Sequence, residues 1–334
     1  MNTTEVSSAI ALAKSGDATQ ARVVDPTSRA LVSIGRALRE AGYSFTTITP
    51  ASHKRVNGRP GAEVARSLRD VFGWSRPFEP TLLPKPLLSL LEAAEAVEAV
   101  ERKGPLLRSL VRFSTLGASL YVHSAFPTDA PDAVFFGPDT YRFLAFLRPH
   151  IGPAKRVVDI GCGAGPGGLA FAAAAERVTL ADISARALKL ARVNAALAGL
   201  PGAEIIESDV LGSVEGEVDV ALANPPYLVD DGARIYRHGG DELGSALSTR
   251  IVREAIARLS PGGRLLVYTG APVVEGRDVF RAAVEPLLES AGARFTYAEI
   301  DPDVFGEELD RPVYASAGVE RIAAVGLAAT MPER

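Results

Sequence analysis

Apolar and polar positions change period about two-fifths of the way along the chain. In the front part the apolar residues follow a helical spacing. Leu31, Ile34 and Leu38 come after an Asp25-Pro26-Thr27-Ser28 start signal, and Gly42 ends the run. Val64, Leu68, Val71 and Phe72 predict a second helix. Leu88, Leu91 and Val97 predict a third over 87–100, with Glu92, Glu95 and Glu98 on its other side. Residues 1–24 show no clear period and read as a frayed start, 44–60 reads as a loop with a short strand at 45–48, and 106–111 reads as a short helix. The β-rich run 116–124 then suggests a strand pair. Helices followed by a strand pair suggest a winged-helix-like module, and the turn-rich stretch 126–131 predicts the end of a mainly helical N-terminal domain at residue 130.

Beyond that boundary short apolar runs alternate with helical stretches. A helix over 141–148 opens this part. Strands are expected at 156–160, 178–182, 203–207, 218–223, 264–269, 294–300 and 321–328. Helices are expected at 166–176, 185–198, 243–259 and 277–290. Strands alternating with helices mean βαβ units and a parallel sheet. The last two strands have no helix between them, so the final one is expected to insert antiparallel.

Composition narrows the class. The chain has 334 residues, 47% hydrophobic and 23% charged, with a formal net charge of −4, as for a soluble globular protein with a real core. Residues 1–130 carry 16 Lys/Arg against 12 Asp/Glu, net +4, and residues 131–334 carry 20 against 28, net −8. A basic front half on an acidic catalytic half suits an RNA partner, although an imbalance this small is also what random surface charge gives. Cys162 is the one cysteine, which excludes internal disulfides and cysteine-based metal sites. The four histidines have no metal-ligand spacing, so no metal is expected. No apolar run of membrane-spanning length and no basic leader is present, so a cytoplasmic location is expected, with no membrane partner.

The candidate chemistry begins at 156–168, Arg-Val-Val-Asp-Ile-Gly-Cys-Gly-Ala-Gly-Pro-Gly-Gly. A strand, a glycine turn and a helix start open a nucleotide-binding α/β unit. Glycine accepts positive φ, and its missing Cβ lets a ligand approach the backbone. Gly163, Gly165 and Gly168 satisfy a dinucleotide fingerprint, so NAD is a first thought. Asp159 and Gly161 extend it to Asp-x-Gly-x-Gly-x-Gly, which resembles the first motif of class I S-adenosylmethionine (SAM) methyltransferases. An acidic strand end suits a ligand with a sulfonium and an ammonium. Asp182, at the tip of the next strand, suits two ribose hydroxyls of either cofactor; the cap of the following helix is its plainer role.

Asn224-Pro225-Pro226-Tyr227, at the end of an apolar strand 63 residues after Gly161, is the sharpest signal. It resembles the (Asn/Asp)-Pro-Pro-aromatic motif of methyltransferases that modify a planar nitrogen. Such a nitrogen has a delocalised lone pair and attacks poorly. The Asn224 side-chain oxygen and the Pro225 carbonyl are placed to accept its N–H groups, and Tyr227 offers a flat face for stacking. Two prolines make the platform rigid. In the methyltransferase pattern Asp209 takes the adenine amino group and the Val210 N–H meets the ring.

Asp139-Thr140-Tyr141, the Asn224 motif and Gly239-Gly240-x-x-x-Gly244 together resemble the HemK-like release-factor glutamine methyltransferases over about 134–334. The resemblance implies a seven-stranded Rossmann-like sheet, SAM as cofactor and Thr140 near it. The usual Pro-x-Pro-x-Thr entry is replaced here by Phe136-Gly137-Pro138-Asp139-Thr140. The implied acceptor is a protein glutamine amide, in a release factor or ribosomal protein. Ribosomal RNA base methyltransferases share the motif, so an exocyclic base amine in RNA stands beside it. A small-molecule methyltransferase and a non-catalytic SAM- or RNA-binding scaffold are the alternatives.

Overall fold

The computed structural model describes residues 25–101, 104–230, 232 and 234–333; the frayed start expected at 1–24 lies outside them. The chain divides into two compact units. The first comprises residues 1–129, 134–141 and 189–203, and the second 130–133, 142–188 and 204–334.

In the first unit, helix α1 (Pro26–Glu40) is capped by Asp25, whose Oδ1 accepts the Ser28 N–H at 2.9 Å. Leu31, Ile34 and Leu38 are buried along it, as their spacing predicts. Helix α2 (Pro50–Asn57) occupies a stretch expected to be a loop. It has little apolar periodicity and is specified by its start: Thr49 caps it, accepting from Ser52 N at 3.2 Å, and Pro50 presets the first turn. The strand expected at 45–48 is absent from the assigned elements.

Helix α3 (Leu68–Phe72) follows. Helix α4 (Lys85–Ala93) then stops short of the expected 100. Glu95 turns the backbone to φ 53°, and Val97–Val100 pairs as strand β1 with β2 (Leu106–Ser109), where a short helix was expected. Tertiary pairing overrides helical spacing here. A second hairpin joins β3 (Val111–Leu116) to β4 (Ser119–Ser124). The Asn194 amide extends it, accepting Val122 N–H at 2.8 Å and donating to Val122 C=O at 2.9 Å.

The second unit is built on one sheet. Its strands are β5 (Ala154–Ile160), β6 (Ala175–Asp182), β7 (Glu204–Glu207), β8 (Val218–Ala223), β9 (Leu259–Val274), β11 (Arg294–Asp301) and β12 (Val319–Thr330), in spatial order β11-β12-β9-β8-β5-β6-β7. A two-residue β10 (Arg277–Asp278) pairs with the end of β9. Strands β7, β6, β5, β8 and β9 run parallel. As expected, β12 inserts antiparallel, here between β9 and β11. The helices along this part of the chain are α5 (Pro138–Leu147), α6 (Pro166–Ala170), α7 (Ala185–Leu197), α8 (Ala246–Ile256), α9 (Val279–Ser290) and α10 (Pro312–Ala315), of which residues 138–141 of α5 and 189–197 of α7 belong to the first unit. Helix α6 ends six residues before the expected 176, because the chain turns at 171–174 and enters β6 at Ala175.

Apolar side chains cover both faces of the sheet. One cluster joins Val158, Ala221 and Leu265 with Ile251, Phe280 and Leu288 of α8 and α9. The other joins Val157, Leu222 and Tyr268 with Phe143 and Tyr314. Central strands buried on both faces explain the uninterrupted apolar runs in the sequence.

Candidate active site

Strand order reverses at β5, whose neighbours are β6 and β8, and a crevice opens beyond the carboxyl ends of strands at such a point. Ile160 of β5 pairs with Ala223 of β8. The residues that follow, Gly161 and Asn224, therefore leave adjacent strands at one level. The sheet thus brings together two motifs separated by 63 residues.

The glycine turn is built as its sequence demands. Gly161, Gly163 and Gly165 have φ of 65°, 54° and 83°, values that L side chains rarely adopt. A Cβ at Gly161 would meet nothing within 4 Å, so this backbone faces open space. At Gly168 a Cβ would come within 2.5 Å of Leu180 and 3.1 Å of the Asp159 Cβ, so that glycine serves close helix–strand packing. Asp159 is buried and accepts the Gly168 N–H at 2.7 Å. Burial pushes its carboxyl up to about 7; the Gly168 hydrogen bond opposes this and the Asp182 carboxylate adds to it.

Asp182, at the tip of β6, ties the turn together. Its Oδ2 accepts Gly163 N–H at 2.9 Å and its Oδ1 accepts Ser184 N–H at 2.8 Å. Burial raises its carboxyl despite these bonds. Each oxygen keeps a further lone pair for a ligand hydroxyl. Cys162 is buried and its thiol is pushed well up by burial, which fits a packing role.

Asp209 and Val210 lie beyond β7. The Asp209 carboxylate meets the Arg250 guanidinium in a two-point fork, at 2.9 and 3.0 Å, on an exposed surface. No sequence pattern pointed to Arg250. Val210 is buried at φ 50°, an unusual conformation for a β-branched residue and a mark of local strain. Thr140 belongs to the first unit, where its hydroxyl accepts the Gly137 N–H at 3.2 Å at the start of α5.

At the end of β8, Asn224 is half-buried and its side chain has no hydrogen bond among the described residues. Pro225 is buried beside it. Tyr227 is only 6% exposed, which leaves little of the face expected for stacking open. Its ring lies on the backbone of Gly270 in β9, where an added Cβ would sit 2.1 Å from Cδ2, and meets Phe305 edge-on at 6.0 Å. The later glycines serve the same platform. A Cβ at Gly239 would strike the Gly244 carbonyl at 2.0 Å and the Tyr227 Cα at 2.7 Å; one at Gly244 would strike the Tyr227 carbonyl at 2.3 Å. Gly239 and Gly244 are thus explained by backbone packed on backbone, and Gly240 by its φ of 85°.

Side chains grip the exit of the platform. Val229 N–H donates to the Tyr314 hydroxyl at 2.8 Å, and Arg311 donates to the Val229 carbonyl. Buried Asp230 accepts from Arg234 Nε at 3.0 Å and pairs with Arg237 at 3.3 Å; hydrogen bonds from Arg234 hold its carboxyl down to about 2. Arg237 also bonds buried Glu308, which pairs with Arg311 at 3.0 Å. The structure commits both Arg234 and Arg237 to internal carboxylates. Arg311, Tyr314 and Glu308 lie some 80 residues downstream, and no spacing rule links them to the motif. Among the described residues no cluster could hold a metal ion, and no helix is long and apolar enough to cross a membrane.

A sheet of this order with one antiparallel insertion, a glycine turn after β5 and an Asn-Pro-Pro-Tyr end on β8 is the mixed α/β arrangement expected of a class I SAM methyltransferase. More narrowly, residues 140–273 match the family model of the methyltransferase small domain. Over 130 residues the chain is 33% identical to the ribosomal RNA small subunit methyltransferase C of Escherichia coli, covering 38% of this chain and 34% of that protein. Over 165 residues it is 37% identical to the release factor glutamine methyltransferase of Deinococcus radiodurans, covering 46% of this chain and 55% of that one. The chain thus spans between a third and a little over half the length of these curated relatives. Among solved structures, Trm5b from Pyrococcus abyssi is 17% identical, with 75% of this chain and 71% of that one covered at a TM-score of 0.47.

Proposed function

We propose that this protein is a SAM-dependent N-methyltransferase acting on a planar nitrogen, in either an RNA base amine or a protein glutamine amide. The observation that carries the reading is the placement of Asn224 and Gly161 at the adjacent ends of β8 and β5. One motif suits the cofactor and the other the acceptor, and the sheet holds them side by side.

The residues fit SAM. Open backbone at Gly161 leaves room for a ligand that a Cβ would crowd. Asp159 places a carboxyl near the turn to face positive charge, and Asp182 has lone pairs for ribose hydroxyls. Gly163 and Gly165 shape the turn. Asp209 and Val210 are assigned to adenine; the Arg250 fork uses one lone pair on each Asp209 oxygen and leaves the others as acceptors. When bound, SAM supplies a methyl group on a sulfonium, open to in-line attack.

The chain's own residues would then orient the acceptor. The Asn224 Oδ1 and the Pro225 carbonyl accept from the reacting N–H₂, and Tyr227 stiffens the platform beneath it. In-line transfer depends on near-attack geometry, which the packing around Tyr227 favours. Residues 1–130 are assigned to substrate recognition, and the cytoplasm is the expected location.

The first test is calorimetric titration of the protein with SAM, S-adenosylhomocysteine and NAD. The reading expects the first two to bind and Asp182→Ala to weaken them. NAD binding without SAM binding would overturn it.

A further inference from the structure

The first unit concentrates positive charge in one stretch. Residues 26–76 hold nine Lys/Arg against three Asp/Glu. Within it Lys54, Arg55, Arg59, Arg66 and Arg69 are exposed on α2, the turn that follows and the start of α3. Among the described residues, no acidic side chain forms an ion pair with any of these five. Asp70 pairs with Arg76 at 2.6 Å. The turn is compact: the Arg59 carbonyl accepts the Ala62 N–H at 3.1 Å, and the Arg66 guanidinium lies 3.6 Å from where a Gly61 Cβ would be.

A second, independent feature backs this surface. Arg112 of β3 is 3% exposed, and its Nε and Nη2 are buried without a hydrogen-bond partner. Its guanidinium lies over the Phe45 ring at 5.3 Å, and Arg69 lies against the same ring at 5.6 Å. Phe45 meets Trp74 edge-on at 5.2 Å, and Arg76 lies over Trp74 at 5.6 Å. Burial brings Arg112 down to about 10, so it stays charged at neutral pH. His53, also buried near it, is held neutral by burial and by Arg112. A buried cation with no acid partner is poorly screened, so its field adds to that of the exposed cations of this unit. Within this unit the balance favours a polyanion.

We infer that the exposed face formed by Lys54, Arg55, Arg59, Arg66 and Arg69 docks the phosphate backbone of RNA. The inference deepens the reading above by choosing RNA over protein as the acceptor's carrier. The face holds cations without exposed aromatic side chains for base stacking, so it is expected to read charge and spacing, not sequence.

The test is fluorescence anisotropy of a labelled 20-nucleotide poly(U) RNA with the full-length protein, across a salt series and without SAM. The triple variant Lys54→Glu/Arg55→Glu/Arg59→Glu changes only exposed side chains. It is expected to bind RNA at least tenfold more weakly. Its log–log salt slope should be shallower by about 0.7 for each phosphate that is no longer neutralised. A labelled polyglutamate peptide serves as the protein-like competitor and is expected to bind much more weakly than RNA. Unchanged RNA binding and slope in the triple variant, or polyglutamate binding as tight as RNA, would overturn the inference. No step uses SAM, so failure of the methyl-transfer reading would appear separately, as an absence of SAM binding in calorimetry.

Discussion

Gly270→Ala probes the platform at the point where the packing is tightest. The new methyl would sit 2.1 Å from Tyr227 Cδ2 and 2.3 Å from Cε2. Ordinary carbon–carbon contact is about 3.5–4.0 Å, so either the ring or the strand must move by about 1.5 Å. The ring is confined by Phe305, and Gly270 is paired with Ala324 of β12 within a buried sheet. Overpacking of this kind costs about 1–3 kcal/mol. Because Asn224 is three residues from Tyr227, the shift is passed to the acceptor site, and a misplacement of about 1 Å costs about 10²-fold in rate. The assay pairs differential scanning fluorimetry with transfer of tritiated methyl from SAM. Gly270→Ala should melt several degrees lower and transfer methyl about 10²-fold more slowly, with SAM affinity little changed. Adding Tyr227→Leu should recover the melting temperature but not the rate. Wild-type melting and wild-type transfer in Gly270→Ala would refute the claim that Tyr227 is fixed by this contact.

Other outcomes follow from the same geometry. Tyr314→Phe leaves the Val229 N–H without its acceptor, and the unpaired donor should cost about 1–3 kcal/mol of stability by chemical denaturation. Asp182→Ala removes the carboxylate that ties Gly163 to the end of β6, and calorimetry should show weaker SAM binding at unchanged stoichiometry. Burial raises the Asp159 carboxyl from 3.8 to about 7, so the folded state binds more protons than the unfolded state between those values. Its contribution to stability is therefore fully present below about 4 and is lost as pH rises through about 7. Ligand-free wild type should lose melting temperature over that window relative to Asp159→Asn. SAM, being cationic, should bind more tightly as the carboxyl ionises, and an equal pH dependence in both proteins would exclude Asp159 as its source.

Much of the sheet could be read from sequence because each central strand is a short apolar run between turn signals. Val157–Ile160 and Val220–Ala223 are buried on both faces, and runs this short between turn signals suit a strand better than a helix. The N-terminal unit was harder to read. Helix α2 is specified by Thr49 and Pro50 at its start, and the third expected helix ends where β1 finds a partner in β2. Local spacing carries no information about that pairing. The site divides along the same line. Asp159, the turn glycines and Asn224 lie in compact motifs, whereas Arg250, Arg311 and Tyr314 reach it only through the fold. The Gly239 and Gly244 pattern was visible as spacing, but its cause was not, since the backbone it packs against belongs to Tyr227.

The most direct test incubates the wild-type protein and Asn224→Ala with tritiated SAM and total cellular RNA and protein, then follows label through ribonuclease and protease digestion to the modified nucleoside or amino acid. Removing the Asn224 acceptor should cost about 3–5 kcal/mol of barrier, or about 10²–10⁴ in rate. The expected result is an N-methylated product formed by wild type, with nearly all transfer lost in Asn224→Ala at unchanged SAM affinity. No transfer by the wild type to either fraction, or transfer by Asn224→Ala at the wild-type rate, would contradict the proposed planar-nitrogen methyltransferase.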